Sequence, residues 1–179
     1  MIRGFESNDL NELFDHDRRM TRQLIGDHAT PYDEDWLRKL TAPNRERYHS
    51  YNTLVAADTD NRPVGFSILR IHKRALQLPK RAGRCHFVDI FFLSVAPTHQ
   101  RQGIGARLVE EAERWATAQG AVELRLSVID TNTDAIRFYV RNGFEEIGLL
   151  PDYPEEGVRS YRMRRGCNLT YEYQGLTDD

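Results

Sequence analysis

Two features of this sequence combine residue types that do chemistry. The first is the run Gln100-Arg101-Gln102-Gly103-Ile104-Gly105. It follows a strongly apolar segment and opens a helical pattern, so its glycines lie where a strand turns into a helix. Glycine lets the backbone come close to a ligand, and the free amides of a helix start face outward with the positive end of the dipole. Such a turn suits phosphate. It is no dinucleotide fingerprint, because Leu108 stands where the third glycine belongs, and no P-loop, because a Gly-Lys-Ser/Thr ending is missing. Taken alone, the run is equally compatible with a structural turn.

The second feature is Asp89, within the apolar run His86-Phe87-Val88-Asp89-Ile90-Phe91-Phe92-Leu93-Ser94-Val95. A carboxylate there must be paired, solvated by a cleft or protonated, because bare burial is costly. Capping a bulge, or pairing with Arg84 or Arg125, would satisfy it. His86 lies beside it, and His99 flanks the glycine run. Cys85 and Cys167 form no disulfide framework and have no metal-ligand spacing around them, so no metal is expected. Cys85 reads as a small core residue.

The elements that position these residues follow from pattern. The 179 residues, 40% apolar and 29% charged, suit one α/β domain. That domain is expected over residues 1–165, with 166–179 a tail. Ile2 to Phe5 reads as a short strand, and Ser7 as the N-cap of a helix with an apolar face at Leu10, Leu13, Phe14, Met20 and Leu24. Thr30-Pro31 opens a second helix that buries Trp36, Leu37 and Leu40. Thr53–Ala57 and Val64–Ile71 read as a hairpin around the turn cluster Asp58 to Pro63.

The run ending at Val95 is apolar on both alternating faces, as expected of a central strand covered on both sides. A helix from Gly103 to Gln119 buries Ile104, Leu108, Ala112 and Trp115 and turns Glu110, Glu111, Glu113 and Arg114 outward. Val122–Ile129 is a strand, Thr133–Asn142 a short helix, and Phe144–Leu150 and Val158–Met163 the last strands. Glu145 and Glu146 read as surface charges.

Taken in order, the apolar strand, Gln-x-x-Gly-x-Gly, helix, strand, Asn132-x-x-Ala135-x-x-Phe138-Tyr139 and Asn142-Gly143-Phe144 resemble the GCN5-related N-acetyltransferase (GNAT) superfamily. The resemblance is close from Val88 to Phe144. It implies a GNAT-like fold, a mixed and mostly antiparallel central sheet with helices on both faces. The implied activity is transfer of an acetyl group from acetyl-CoA, a co-substrate, to a primary amine by direct attack in a ternary complex.

In such enzymes the fourth and fifth strands splay, and the pantetheine arm lies between them. By resemblance, backbone groups of Leu93, Ser94 and Val95 pair with that arm and polarise the thioester carbonyl. The amides of Gln100, Arg101, Gln102, Gly103, Ile104 and Gly105, with the Gln100 and Arg101 side chains, hold the diphosphate. Asn132 bonds the pantetheine or positions the next helix.

Tyr139 matches a tyrosine that protonates the departing thiolate, two groups of similar basicity; packing against the sheet is its structural alternative. Asp89 stands where histone acetyltransferases of this superfamily carry a glutamate base. An amine that is ammonium near neutral pH must lose a proton before attack, to Asp89, to His86 or through water.

The acceptor side is less defined. Leu149-Leu150-Pro151-Asp152-Tyr153 occupies the place where N-terminal acetyltransferases carry a Tyr-Tyr loop, and only Tyr153 remains of it. The acceptor is a small amine, a polyamine or a protein amine; Asp152, Glu155 and Glu156 would draw an amine or polyamine, and Asp27, His28, Tyr32, Asp33 and Trp36 form either the other wall or simply a charged, exposed face.

A CoA-binding regulatory domain without turnover is an alternative from another class. The net charge of −2 gives no global attraction to nucleic acid or membrane. The local basic stretch Lys73 to Arg84 is a hairpin end, a dimer contact or, in a third reading, a nucleic-acid or partner site. With no signal-peptide pattern, the expected setting is cytoplasmic.

Overall fold

The computed structural model describes residues 1–25, 49–72, 87–154 and 156–167. All seven expected strands are present in it and form one sheet in the order β1-β2-β3-β4-β5-β7-β6. In chain order the elements are β1 (Ile2–Gly4), α1 (Leu10–Ile25), β2 (His49–Ala57), β3 (Pro63–His72) and β4 (Phe87–Val95). They continue with α2 (Ile104–Ala118), β5 (Glu123–Ile129), α3 (Thr133–Arg141), β6 (Glu145–Leu150) and β7 (Ser160–Gly166). The β4–β5 pair is parallel and the other pairs are antiparallel.

The β2–β3 hairpin closes as its turn residues require. Asp58 Oδ1 accepts the amides of Asp60 and Arg62, each at 2.9 Å, while Asn61 takes the left-handed conformation with φ 61°. The first helix begins differently from expectation. A 3-10 turn, Ser7–Asp9, precedes it, and the capping carboxylate is that of Asp9, which accepts the Glu6 amide at 2.8 Å. Asp9 also receives a fork from Arg3, at 2.8 and 2.9 Å, and this pins the helix to β1.

Two cores lie on opposite faces of the sheet. One packs α2 and α3 through residues such as Leu108, Val109, Ala112 and Leu124; the other packs α1 through Leu13 against Val55, Phe66, Ile68 and Phe92. A bulge in β4 decides which residue goes where. Ile68 pairs with Phe92 and Leu69 with Ile90, so Phe91 is left over. Val88 and Ile90 join the α2 core, Phe92 crosses to the α1 core, and Leu93 returns to the α2 side. The strand is thus covered on both faces, as its composition requires.

Glu113 corrects the sequence reading. It is buried, and Arg165 Nη2 donates to its Oε2 at 2.6 Å while Nη1 donates to the Asn142 carbonyl at 3.0 Å. One guanidinium therefore ties α2, the end of α3 and β7 together. β7 runs past Arg165, and the Cys167 amide donates to Val122 O at 2.8 Å with the thiol buried.

Candidate active site

β4 and β5 pair only at Phe87–Glu123, Val88–Leu124 and Asp89–Arg125. Beyond that point each strand stays bonded on its outer side, β4 to β3 as far as Val95 and β5 to β7 as far as Ile129. The two inner edges diverge, so β4 from Ile90 and β5 from Leu126 face a cleft with no strand partner across it. Backbone amides and carbonyls in such a position are open to water or to a bound molecule that carries hydrogen-bonding groups. Leu93, Ser94 and Val95 all lie on this splayed part of β4.

The glycine run stands at the open end of the cleft. Gly103 precedes the first residue of α2 with φ 77°, and a Cβ added there would meet nothing within 4 Å. Open space beside a helix start with free amides fits an anion. Arg101 is exposed beside it, also at positive φ. Gln100 donates its side-chain amide to Val95 O at 3.0 Å, and Gln102 donates to Thr98 O at 3.3 Å, so both shape the turn itself. His99 Nδ1 lies 3.0 Å from Thr98 Oγ1 in the same turn.

Ile104 buries its side chain in the core, leaving its amide as the part that faces the loop. Gly105 serves packing: a Cβ there would stand 3.1 Å from Cζ of Phe138.

Asn132 N-caps α3, with Oδ1 accepting the Ala135 amide at 3.2 Å. Of its two expected roles, this is the positioning one. Tyr139 on α3 is buried between the rings of Phe138 and Phe144, 5.1 and 5.5 Å away between centroids. Burial pushes its phenol above the ordinary range. Among the described residues none hydrogen-bonds its hydroxyl.

Asp89 is paired, and among the described residues it pairs with one the sequence did not suggest. Arg70, opposite it on β3, donates Nη2 to Oδ2 at 2.9 Å. Arg125 instead pairs with Glu123 and lies 3.9 Å from the Phe87 ring centre; Arg84 and His86 lie outside the described residues.

Asp89 and Arg70 line a polar pocket at the mouth of the splay. Its other walls are Ile90 and Phe91, Leu126 and Ser127 of β5, Arg162 of β7 and Tyr153 from the β6–β7 loop. That loop is held by Tyr153 N to Val158 O and Ser160 Oγ to Tyr153 O, both 2.7 Å. Asp152 takes the Gly157 amide at 2.8 Å, which makes it part of the turn.

Sequence reasoning missed three residues of this region. Arg70 and Arg162 sit in strands where a charge reads as a solvent-facing position. His16 sits on the buried side of α1, in the stripe set by Leu10 and Leu13, and that periodicity was the available signal. Its Nδ1 is 3.0 Å from Ser94 Oγ, and its ring packs edge-on to Phe66. Burial lowers its pKa to about 4, so the imidazole is neutral at physiological pH. Asp27, His28, Tyr32, Asp33, Trp36, Glu155, Cys85 and the stretch from Lys73 to Arg84 fall outside the described residues.

Known proteins are similar to this chain in sequence and in fold. An aminoglycoside N(6')-acetyltransferase type 1 of Klebsiella aerogenes is 31% identical over 97 residues, covering 52% of this chain and 59% of that protein. An N-alpha-acetyltransferase of Sulfurisphaera tokodaii is 31% identical over 111 residues, covering 60% and 65%. The chain thus spans less than two thirds of the length of either relative.

In fold, the chain is similar to the crystal structure of Arabidopsis thaliana NAA60 in complex with a bisubstrate analogue. The TM-score is 0.70 at 19% identity, over 94% of this chain and 98% of that one. The model of the Acetyltransferase (GNAT) family matches residues 10–144, from the start of α1 through Phe144 at the end of the α3 motif. With the splayed strands and the glycine-led helix, that match establishes that the chain belongs to the GNAT acetyltransferase family.

Proposed function

We propose that this protein is an N-acetyltransferase that moves an acetyl group from acetyl-CoA directly to a primary amine, with both bound at once. The observation that carries this reading is the splay of β4 from β5 immediately after Asp89 and Arg125, opening toward the start of α2. A parallel pair that parts in mid-sheet leaves backbone groups in want of partners, and the pantetheine arm has amides to supply them.

Acetyl-CoA supplies the activated acetyl thioester; the chain binds it and manages protons. Backbone groups of Leu93 to Val95 engage the arm and orient the carbonyl, an arrangement that gains strength as negative charge develops on oxygen. The amides from Arg101 to Gly105, with the Arg101 charge, hold the diphosphate, while Gln100 fixes the turn through Val95. Asn132 sets the start of α3 and thereby the place of Tyr139. That hydroxyl carries its proton at neutral pH and gives it to the thiolate as it leaves.

Asp89 takes the proton of the incoming ammonium, directly or through water, with Arg70 holding Oδ2. The acceptor enters the pocket under Tyr153. Small amines and protein amino groups both belong to this chemistry, as the names of the aminoglycoside and N-alpha relatives indicate.

Calorimetry with acetyl-CoA, together with thiol release in the presence of a panel of amines, tests the reading. Binding with amine-dependent thiol release is expected. Binding without transfer to any amine would favour the regulatory alternative, and absence of binding would refute both.

A further inference from the structure

Among the described residues that line it, the pocket carries two arginines, Arg70 and Arg162, and one carboxylate, Asp89. Register places a polar row on the α1-side face of the sheet: Arg70 faces Asp89, Asp89 faces Arg125, and Arg125 faces Arg164. Each arginine in that row has a carboxylate, Arg70 with Asp89, Arg125 with Glu123 and Arg164 with Glu145. Arg162, two residues along β7 from Arg164 and opposite Ser127, shares this face. Among the described residues no carboxylate lies within ion-pair distance of it. Its Nε is buried and has no hydrogen-bond partner among the described residues, and its side chain lines the pocket beside Asp89 and Tyr153.

A guanidinium with a buried, unsatisfied N–H is costly unless something completes it. The planar fork suits a carboxylate, which can take two parallel hydrogen bonds. Asp89 is engaged by Arg70 and stands where the amine must deposit its proton. We infer that Arg162 recognises a carboxylate carried by the acceptor, so that the substrate class is an amine bearing an acidic group close to the amino group. Polycationic amines meet an uncompensated guanidinium in the same pocket and are poor substrates. This inference rests on the acetyltransferase reading above and narrows its acceptor.

The test uses acceptor pairs that differ only in one carboxylate. One arm compares free amino acids with their primary amides; a second compares peptides with Asp or Glu next to the amino group against Asn or Gln. Thiol release gives kcat/KM for each, and the arm with the larger ratio identifies a small-molecule or a peptide source.

A charge-assisted, two-pronged contact predicts a carboxylate preference of about 10-fold or more. In R162Q that ratio falls toward one, mainly through KM, and R162K retains part of it. Circular dichroism melts check that the variants fold. If R162Q does not fold, the wild-type ratio and its partial retention in R162K decide.

A neutral or cationic acceptor preferred by the wild type overturns the inference, as does a ratio that survives R162Q. Transfer from acetyl-CoA without the ratio sinks this inference alone, whereas no acetyl-CoA binding and no transfer sink the underlying reading with it.

Discussion

Arg70 and Asp89 face each other across the antiparallel β3–β4 pair, with Nη2 2.9 Å from Oδ2 and the guanidinium 4.7 Å from the centre of the Phe91 ring. The pair is mostly shielded, the side chains being 22% and 8% exposed. Removing one partner strands a charge, so Asp89→Ala should cost about 3 kcal/mol in urea unfolding. Asp89→Asn keeps an acceptor for Arg70 but takes up no proton at neutral pH. It should lower turnover about 100-fold with the affinity for acetyl-CoA retained. A purely structural carboxylate would instead leave the pH profile of turnover in place.

Tyr139→Phe removes a hydroxyl that no described residue bonds, and leaves the ring between Phe138 and Phe144. Its melting temperature should stay within a degree or two of the wild type while thiol release slows roughly 100-fold. Full activity would reassign Tyr139 to packing alone.

Gly103 and Gly105 should fail in different ways. Alanine at 103 meets no neighbour but must adopt φ 77°, a strain of about 1 kcal/mol that falls on the loop and weakens CoA binding seen by calorimetry. A valine at 105 drives into the Phe138 ring, since even its Cβ stands 3.1 Å from Cζ, and should cost about 1–3 kcal/mol of stability. Phe138→Leu in the same chain should recover part of that loss, and a double-mutant cycle without coupling would refute the contact.

His16 gives the fold an acid limit. Its pKa is about 4 in the folded chain and 6.5 when unfolded, so the unfolded chain binds more protons between these values. The stability associated with the neutral ring is complete above pH 6.5, declines as pH falls, and is gone below pH 4. The shift corresponds to about 3 kcal/mol. Urea titrations at pH 7, 5.5 and 4 should show this decline in the wild type and a flatter one in His16→Asn, which can still bond Ser94. Parallel curves would show that His16 carries none of it.

The sequence alone determined the order of the elements, the seven strands and the placement of the glycine-led helix start, because period, turn chemistry and capping are local. It also determined the family resemblance, since Gly103, Gly105, Asn132, Tyr139 and Asn142-Gly143-Phe144 are read within one continuous stretch. Tertiary structure decided the partners. Glu113 looked solvent-facing until Arg165, 52 residues later, closed on it. His16 and Ser94 are 78 residues apart, and Arg70 and Asp89 meet only because β3 and β4 pair with a bulge at Phe91. A strand pattern fixes which side a residue faces, modulo one bulge, and says nothing about which strand lies beside it. Arg162 therefore reads as an ordinary surface arginine in the sequence, and only the register of β7 against β5 brings it to the pocket.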